Sequence, residues 1–271
     1  MQATALPSFS LLPPPSSFLQ LPGVRIHFRV VGEGPPILLL HGLASSGIDW
    51  FPIAPALASR HRLILMDLRG HGHSSLAQAK GYGIETMAGD AWRLLEALAV
   101  DKPHVVGLSL GGCVALQMAC QRPAALDRLV LANTFARLRS NGLLASRLIR
   151  LRRTLGNIDA LAQVVATSLF NDPAVQAFAA ERLRRNDMGA IRRTMAALAL
   201  FDVRRRLPRI ANPVLVLAGD RDRTVPSRCT EELAGGLPLA RLHIIADAGH
   251  ALPYDQPDAF VAAVRDFLPI P

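Results

Sequence analysis

The chain has 271 residues, half of them hydrophobic, so it can bury the core of a large domain, which excludes a disordered protein. Its net charge of +9 resides in residues 136–206, which hold 14 arginines against five acidic residues, while the remainder of the chain is neutral. Only three phenylalanines are interleaved with these arginines, whereas a nucleic-acid-binding surface uses aromatic residues for base stacking, so we expect no nucleic-acid partner.

The predicted elements begin after a proline-rich segment, residues 1–22, which contains five prolines and no charged residue. Proline disfavours helix interiors and central strands, so this segment is predicted to be an irregular arm. The first charged residue is Arg25, which argues against the basic region of a secretory signal and predicts a cytoplasmic location. The three cysteines have no C-x-x-C spacing, so neither a disulfide framework nor a thiolate metal site is expected.

Short apolar runs alternate with longer helical stretches from residue 24 onwards. The predicted strands are Val24–Val31, Ile37–Leu40, Leu63–Met66, Val105–Val106, Leu129–Leu131, Val214–Leu217 and His243–Ile245. The predicted helices are Ile84–Ala99, Leu110–Cys120, Thr230–Gly235 and Asp258–Phe267. Unbroken apolar runs are typical of strands buried on both faces. Their alternation with helices predicts an α/β fold with a mostly parallel central sheet flanked by helices.

Residues 136–206 interrupt this alternation. Leucines recur there at helical spacing with arginines between them, namely Leu144, Leu148, Leu151 and Leu155 with Arg147, Arg150 and Arg153. We interpret the segment as a helical, arginine-rich cap inserted over the sheet. The cap would then separate two parts of one core, residues 23–135 and 207–271.

An uncharged stretch, Pro103–Gln121, has the length of a membrane span but contains a proline and several glycines. A strand, a sharp turn and a buried helix explain it better, so no integral membrane segment is expected. The turn has the pattern G-x-S-x-G, with Gly107 and Gly111 around Ser109. Glycines allow the tight turn that exposes the serine hydroxyl at the helix N-terminus, so Ser109 is the predicted nucleophile.

A serine hydroxyl needs a base, usually a histidine that a carboxylate orients. In chains with this turn the order is serine, acid, histidine, and only His243 and His250 follow the serine. His243 alternates with apolar neighbours inside a strand, which is typical of a structural residue. His250 lies in a loop past the end of that strand and is the favoured base.

The acid is expected in the loop after the strand Val214–Leu217, where Asp220 and Asp222 are both candidates. Asp222 lies deeper in the loop and is favoured, whereas Asp220 follows the strand closely enough to cap the turn. The alternative for either residue is a turn carboxylate that pairs with Arg221 or Arg223.

The predicted oxyanion donors are backbone N–H groups of Leu110, after the serine, and of Leu43, in the loop after the strand Ile37–Leu40. Gly42 lets that loop reverse, and His41 is interpreted as a loop-packing residue. A second glycine-containing loop, residues 67–74, lacks the spacing of a phosphate-binding loop. We interpret it as a structural turn rather than a metal site built on its two histidines, and we expect no metal and no cofactor.

These motifs together resemble the α/β-hydrolase superfamily. They are HGLASS (41–46), DLRGHGHSS (67–75), GLSLGG (107–112), GDRDRTVP (219–226) and AGHALPYDQP (248–257), in the family's order. Within the superfamily the chain resembles small bacterial carboxylesterases and 3-oxoadipate enol-lactonases, and it is similar to an esterase that demethylates a carrier-protein ester. The resemblance implies an acyl pocket roofed by the cap. Ser109, where dehalogenases and epoxide hydrolases have aspartate, argues against those two activities.

The favoured hypothesis is therefore a serine hydrolase that cleaves a small ester or lactone through an acyl-enzyme, with Ser109, His250 and Asp222 as its triad. An anionic substrate or an acidic carrier protein would suit an arginine-rich cap, which keeps a thioesterase or carrier-ester esterase as an alternative. The same triad would also serve a C–C bond hydrolase. A ligand-binding protein that retains the triad without turnover is the non-enzymatic alternative.

Overall fold

The computed structural model describes residues 15–77, 81–138, 158–170 and 173–269, within which eight strands form one sheet. The strands are Ser17–Leu21 (β1), Val24–Val31 (β2), Pro36–Leu40 (β3), Arg62–Met66 (β4), His104–Leu108 (β5), Leu129–Ala132 (β6), Val214–Gly219 (β7) and Ala240–Ile245 (β8). Their spatial order is β1-β2-β4-β3-β5-β6-β7-β8. β1 and β2 pair antiparallel, as do β2 and β4, and all pairs from β4 to β8 are parallel. The predicted α/β fold class is confirmed.

The prediction of an irregular arm over residues 1–22 is wrong for its last part, because Ser17–Leu21 form the edge strand β1. Leu21 pairs with Val24, so Pro22 and Gly23 make a two-residue turn into β2. The prolines do not prevent this strand because they flank it instead of interrupting its hydrogen-bond ladder. The rest of the predicted arm, up to residue 14, lies outside the described residues.

Helices cover both faces of the sheet. They are Ala54–Ala58 (α1), Ile84–Ala97 (α2), Leu110–Gln121 (α3), Ile158–Leu169 (α4), Pro173–Leu183 (α5), Met188–Leu200 (α6), Ser227–Gly236 (α7), Leu252–Asp255 (α8) and Pro257–Phe267 (α9). Leu38 and Leu40 of β3 belong to the core under α2, α3 and α7, whereas Leu39 belongs to the core under α1 and α9. Because successive side chains of a strand point to opposite faces, a strand covered on both sides must be apolar throughout.

The described part of the segment between β6 and β7 is helical. Its helices α4, α5 and α6 share a small apolar cluster with Ala44, which lies in the loop after β3. The Val203 N–H donates to the Ala136 carbonyl oxygen (3.0 Å), and Arg137 and Asp202 form an isolated antiparallel bridge, so the two ends of the segment leave the core side by side. The leucines and arginines of 144–155 lie outside the described residues, and the full extent of the cap stays a prediction.

The carboxyl ends of the parallel strands meet along one edge of the sheet, and the loops that follow β3, β5, β6, β7 and β8 are therefore neighbours there. Leu43, Ser109, Asp222 and His250 lie in these loops, Leu110 and Gly111 lie at the start of α3, and Gly107 lies near the end of β5. None of the helices in the described residues combines the length and hydropathy that a bilayer crossing requires.

Candidate active site

Ser109 sits at a strained turn between β5 and α3. Its φ of 53° and ψ of −111° fall in a region that residues with a Cβ rarely adopt. The flanking glycines make the turn possible, because a Cβ on Gly107 would overlap the Gly111 carbonyl oxygen and one on Gly111 would overlap the Leu40 carbonyl oxygen. The serine is therefore held where strand, turn and helix pack too closely for any larger residue beside it.

The end of β6 fixes the backbone of Ser109 from the other side. The Ser109 N–H donates to the Ala132 carbonyl oxygen (2.9 Å), and its own carbonyl oxygen accepts from Oγ1 of Thr134 (2.7 Å). The backbone of Ser109 is thus held by β6 and by the loop that follows it. The side chain is half-buried, at the edge of the sheet where the other loops converge.

Asp222 and His250 form a buried hydrogen-bonded pair. Asp222 Oδ2 lies 2.8 Å from His250 Nδ1, and the two side chains are only 4% and 10% exposed. The other carboxylate oxygen accepts from the N–H groups of Thr224 (2.7 Å) and Val225 (3.1 Å), which fixes the carboxylate in its loop. Because a carboxylate only accepts hydrogen bonds, the neutral imidazole carries its proton on Nδ1 and leaves Nε2 with a free lone pair.

The structure separates the two acid candidates. Asp220 Oδ1 accepts from the Ala248 N–H (3.1 Å), so Asp220 ties its loop to the loop after β8 and does not pair with a histidine. Arg221 forms an ion pair with Asp247, and this removes it as a partner for Asp222. His243 lies within β8, half-buried, as predicted for a structural residue.

The predicted oxyanion loop runs beside Ser109, since a Cβ on Gly42 would lie 3.8 Å from the Ser109 Cβ. His41 packs this loop: its Nδ1 donates to the Gly42 carbonyl oxygen (2.7 Å), and its Nε2 accepts from the Leu68 N–H (2.9 Å). Burial, assisted by the neighbouring His71, lowers the pKa of His41 to about 3, so it is a neutral structural residue. Leu43 follows in the loop, half-buried.

Leu110 begins α3, and its backbone N–H belongs to the first turn of that helix, where N–H groups lack intrahelical acceptors. The role of this N–H as an oxyanion donor stays a prediction. The Leu110 side chain is fully buried, so only the backbone can serve the site.

Two residues of the helical segment between β6 and β7, the predicted cap region, bond directly to the predicted oxyanion loop. Arg182 of α5 donates to Asp49 Oδ1 (2.7 Å) and to the Ser46 hydroxyl. Asn186, one turn further along, donates through Nδ2 to the Ala44 carbonyl oxygen (2.9 Å). Ala44 has a φ of 58°, an uncommon conformation for alanine that these contacts hold in place. Sequence analysis missed this connection, because nothing in the local pattern indicates which cap residue meets which loop.

A cavity of about 370 Å³ lies between this loop and helices α4 and α5. Its lining is mostly apolar and includes Val165, Phe170 and Phe178 of the cap region together with Leu43 and Tyr254. Ser109 and His250 do not line it, so the cavity is adjacent to the candidate site instead of containing it. Phe170 and Tyr254 meet edge to face, with ring centroids 5.3 Å apart, and close one wall.

The loop 67–74 is held by hydrogen bonds to the Asp67 carboxylate and by one from the His71 imidazole. Asp67 accepts from His27 Nδ1 (2.9 Å) and from the backbone N–H groups of Gly47 (2.6 Å) and His73 (2.8 Å). His71 Nδ1 donates to the Arg69 carbonyl oxygen (3.0 Å). In the part of the chain that the structure describes, no three histidine, cysteine or acidic residues cluster closely enough to hold a metal ion.

Comparison with known proteins gives concordant results. A family model described as "alpha/beta hydrolase fold" matches residues 35–257. A candidate carbamate hydrolase, RutD, of Agrobacterium fabrum is 34% identical over 90% of this chain and 97% of its own length. The magnesium-chelatase 30 kDa subunit of Rhodobacter capsulatus is 33% identical over 87% of each chain. The enol-lactonase of Burkholderia xenovorans LB400 superposes with a TM-score of 0.84 at 30% identity, covering 93% of this chain and 99% of that one.

Proposed function

The chain belongs to the α/β-hydrolase family, and we propose that it is a serine hydrolase that cleaves a carboxylic ester or a lactone. The observation that carries the proposal is the buried hydrogen bond between Asp222 and His250, formed at the sheet edge where the strained turn of Ser109 also lies. Nucleophile, base and orienting acid are then three residues from three different loops.

In the proposed reaction, Ser109 Oγ attacks the substrate carbonyl carbon while His250 Nε2 takes the hydroxyl proton. The tetrahedral oxyanion is bound by the N–H groups of Leu43 and Leu110, and loss of one such donor typically costs about 3–4 kcal/mol of transition-state stabilisation. The carbon–oxygen bond to the leaving group then breaks, and the imidazolium returns its proton to that oxygen. An acyl-enzyme on Ser109 remains.

Water completes the cycle. His250 Nε2 removes a proton from the water, the hydroxide oxygen bonds to the acyl carbon, and Ser109 leaves with the proton that the imidazolium returns. In both halves Asp222 keeps the imidazole in the tautomer with Nδ1–H and stabilises the positive charge that forms on it. A lactone follows the same steps, and its leaving oxygen stays attached to the released acid.

The described arginines of the cap favour a neutral substrate group over an acidic carrier protein. Six of them already pair with acidic side chains of the protein, namely Arg137, Arg182, Arg184, Arg185, Arg193 and Arg204. The mostly apolar lining of the neighbouring cavity favours a substrate with an apolar acyl or alcohol part. The arginines at 147, 150 and 153 lie outside the described residues, and their role stays a prediction.

A carbamate is the second candidate substrate, supported by the similarity to RutD over nearly the whole chain. The same residues would act: Ser109 would attack the carbamate carbonyl, and a carbamoyl-enzyme would be hydrolysed in place of an acyl-enzyme. The two substrate classes differ in the atom on the acyl side of the carbonyl carbon, which is carbon in an ester and nitrogen in a carbamate. Comparing the turnover of esters and carbamates therefore distinguishes the two candidates.

The test is hydrolysis of p-nitrophenyl esters of graded acyl length, of γ- and δ-lactones and of simple carbamates by the wild type and by Ser109→Ala. We expect ester or lactone turnover that the variant lacks while its circular dichroism spectrum and melting temperature are unchanged. Carbamate turnover in excess of ester turnover would favour the second candidate. Stoichiometric ligand binding without product, or equal turnover by Ser109→Ala, would contradict the serine-hydrolase assignment.

A further inference from the structure

Asn133 joins the loop that carries Asp222 to the loop that carries His250. Its side-chain Oδ1 accepts from the N–H of Gly219 (2.9 Å), the last residue of β7. Its Nδ2 donates to the carbonyl oxygens of Gly249 (2.8 Å) and of His250 itself (3.0 Å). One amide therefore bridges the acid loop and the base loop.

Asparagine is the side chain that these partners require. The side chain must carry one group that accepts a hydrogen bond from a backbone N–H and a second group that donates two hydrogen bonds to backbone carbonyls. A side chain of two carbons places both groups at the observed positions. An aspartate would set a carboxylate oxygen against two carbonyl oxygens, and a leucine of similar shape would offer no polar atom. Asn133 is completely buried, so bulk water does not compete for its hydrogen bonds.

The backbone of Asn133 also points to a specific role. Its φ of 42° lies in the left-handed region, where asparagine is one of the few non-glycine residues that occur routinely. The residue directly follows β6, which lies between β5 and β7 in the sheet. The next residue, Thr134, holds the carbonyl oxygen of Ser109 (2.7 Å). Two consecutive residues thus contact all three loops of the site.

We propose that Asn133 is a positioning residue for hydrolysis, one that sets the relative position of the acid and base loops so that the His250 imidazole faces Ser109. This inference rests on the proposed serine-hydrolase function. Asn133 acts only through its neighbours, since its polar atoms are all engaged with the backbone. Asp220 is the matched comparison, because it joins the same two loops through the Ala248 N–H but makes no bond to His250.

The test compares Asn133→Gly with Asp220→Ala in the full-length protein. The glycine variant tolerates the left-handed backbone and removes the side chain that carries the amide. We expect its kcat to fall by about 100-fold with KM little changed, the loss typical of small misplacements at a reacting centre. Asp220→Ala should retain most activity.

Proton NMR provides a readout that does not depend on turnover. The His250 Nδ1–H, hydrogen-bonded to Asp222, should give a low-field resonance that disappears in His250→Gln. We expect this resonance in the wild type and in Asp220→Ala, and its loss or marked upfield shift in Asn133→Gly. Asn133→Asp, which reverses the donor end, should show the same loss.

An Asn133→Gly variant with wild-type kcat and low-field resonance would overturn the proposal. Equal losses of activity and melting temperature in Asn133→Gly and Asp220→Ala would also overturn it, because they would indicate a general tether between the loops. Failure of the serine-hydrolase function has a different signature: the wild type would show no turnover, while the resonance would still respond to Asn133→Gly.

Discussion

Asp222 and His250 lie 28 residues apart in sequence, yet their side chains form a 2.8 Å hydrogen bond that is almost closed to solvent. The bond exists because β7 and β8 are adjacent parallel strands, so the loops at their carboxyl ends lie side by side. It leaves His250 Nε2 as the one imidazole nitrogen available to accept a proton. The assignment of His250 as the base of a serine hydrolase depends on this pair.

Replacement of the two loop aspartates should give opposite results. Asp222→Asn is expected to lower kcat by about 10⁴-fold, because the amide cannot hold the imidazole in the required tautomer or stabilise its positive charge. Asp220→Asn keeps a carbonyl oxygen for the Ala248 N–H and should change kcat little. Steady-state kinetics on a p-nitrophenyl ester measure both. Similar losses in the two variants would show that Asp222 has no special role.

Asn186→Ala should slow catalysis without a large change in KM. The variant loses the hydrogen bond to the Ala44 carbonyl oxygen, so the oxyanion loop is less firmly held when Leu43 must bind developing charge. The expected loss of kcat is smaller than the roughly 10²- to 10³-fold loss that removal of an oxyanion donor itself causes. Arg184→Ala, an exposed neighbour that pairs with Asp159 and does not line the cavity, is the control and should keep its kcat. An increase in KM with an unchanged kcat would instead indicate that Asn186 contacts the substrate.

Asp49 predicts a pH-dependent contribution to stability. Burial raises the pKa of Asp49 to about 6 from 3.8, despite the opposing effect of Arg182. Between these values the folded protein binds the proton more tightly than the unfolded chain, so the contribution of Asp49 to the free energy of unfolding falls as pH rises. As pH rises through this window, the free energy of unfolding of the wild type should fall by about 2 kcal/mol relative to that of Asp49→Asn. The full pKa shift would give a larger fall, but a quarter of the Asp49 side chain is exposed and solvent screens its charge.

Urea denaturation of the wild type and Asp49→Asn at several pH values across this window measures that difference. Because both proteins share every other titrating group, the comparison isolates Asp49. A difference in the free energy of unfolding that stays constant with pH would mean that Asp49 has an ordinary pKa in the folded protein.

Ala179→Trp should change the preferred acyl length. Ala179 lines the cavity of about 370 Å³ beside the site, and an indole there would fill much of its volume. If that cavity receives the acyl chain, activity on the octanoyl ester should fall much more than activity on the acetyl ester. Ala177→Trp, an exposed substitution on the same helix, serves as control. An unchanged length profile would mean that the substrate does not occupy this cavity.

The core of the fold could be predicted from sequence because its signals are local. Strands such as β3 and β4 are covered on both faces and therefore read as unbroken apolar runs, and the turn at Ser109 admits so few residue types that its glycines are visible in the sequence. The edge strand β1 was missed because an edge strand needs no such run, and its flanking prolines dominated the local composition.

The residues that hold the loops of the candidate site in place could not be predicted from sequence, because their role depends on tertiary contacts. Asn133 contacts residues more than 80 positions away, and Arg182 meets Asp49 across 133 positions. Asn133 follows a buried strand and Arg182 lies on a helix between β6 and β7, and the sequence around them does not indicate which residues they contact. The strand order determines which loops are neighbours along the sheet edge, and these contacts can be identified only once that order is known.

Covalent modification of Ser109 is the decisive measurement for the proposed triad. Intact-mass and peptide mass spectrometry after reaction with an alkyl fluorophosphonate should find one adduct, on Ser109, in the wild type. Ser109→Ala should remain unmodified, and His250→Ala should react far more slowly, because the hydroxyl then lacks its base. An adduct on another residue, or equal modification of Ser109 with and without His250, would contradict the proposal that the Asp222–His250 pair activates Ser109.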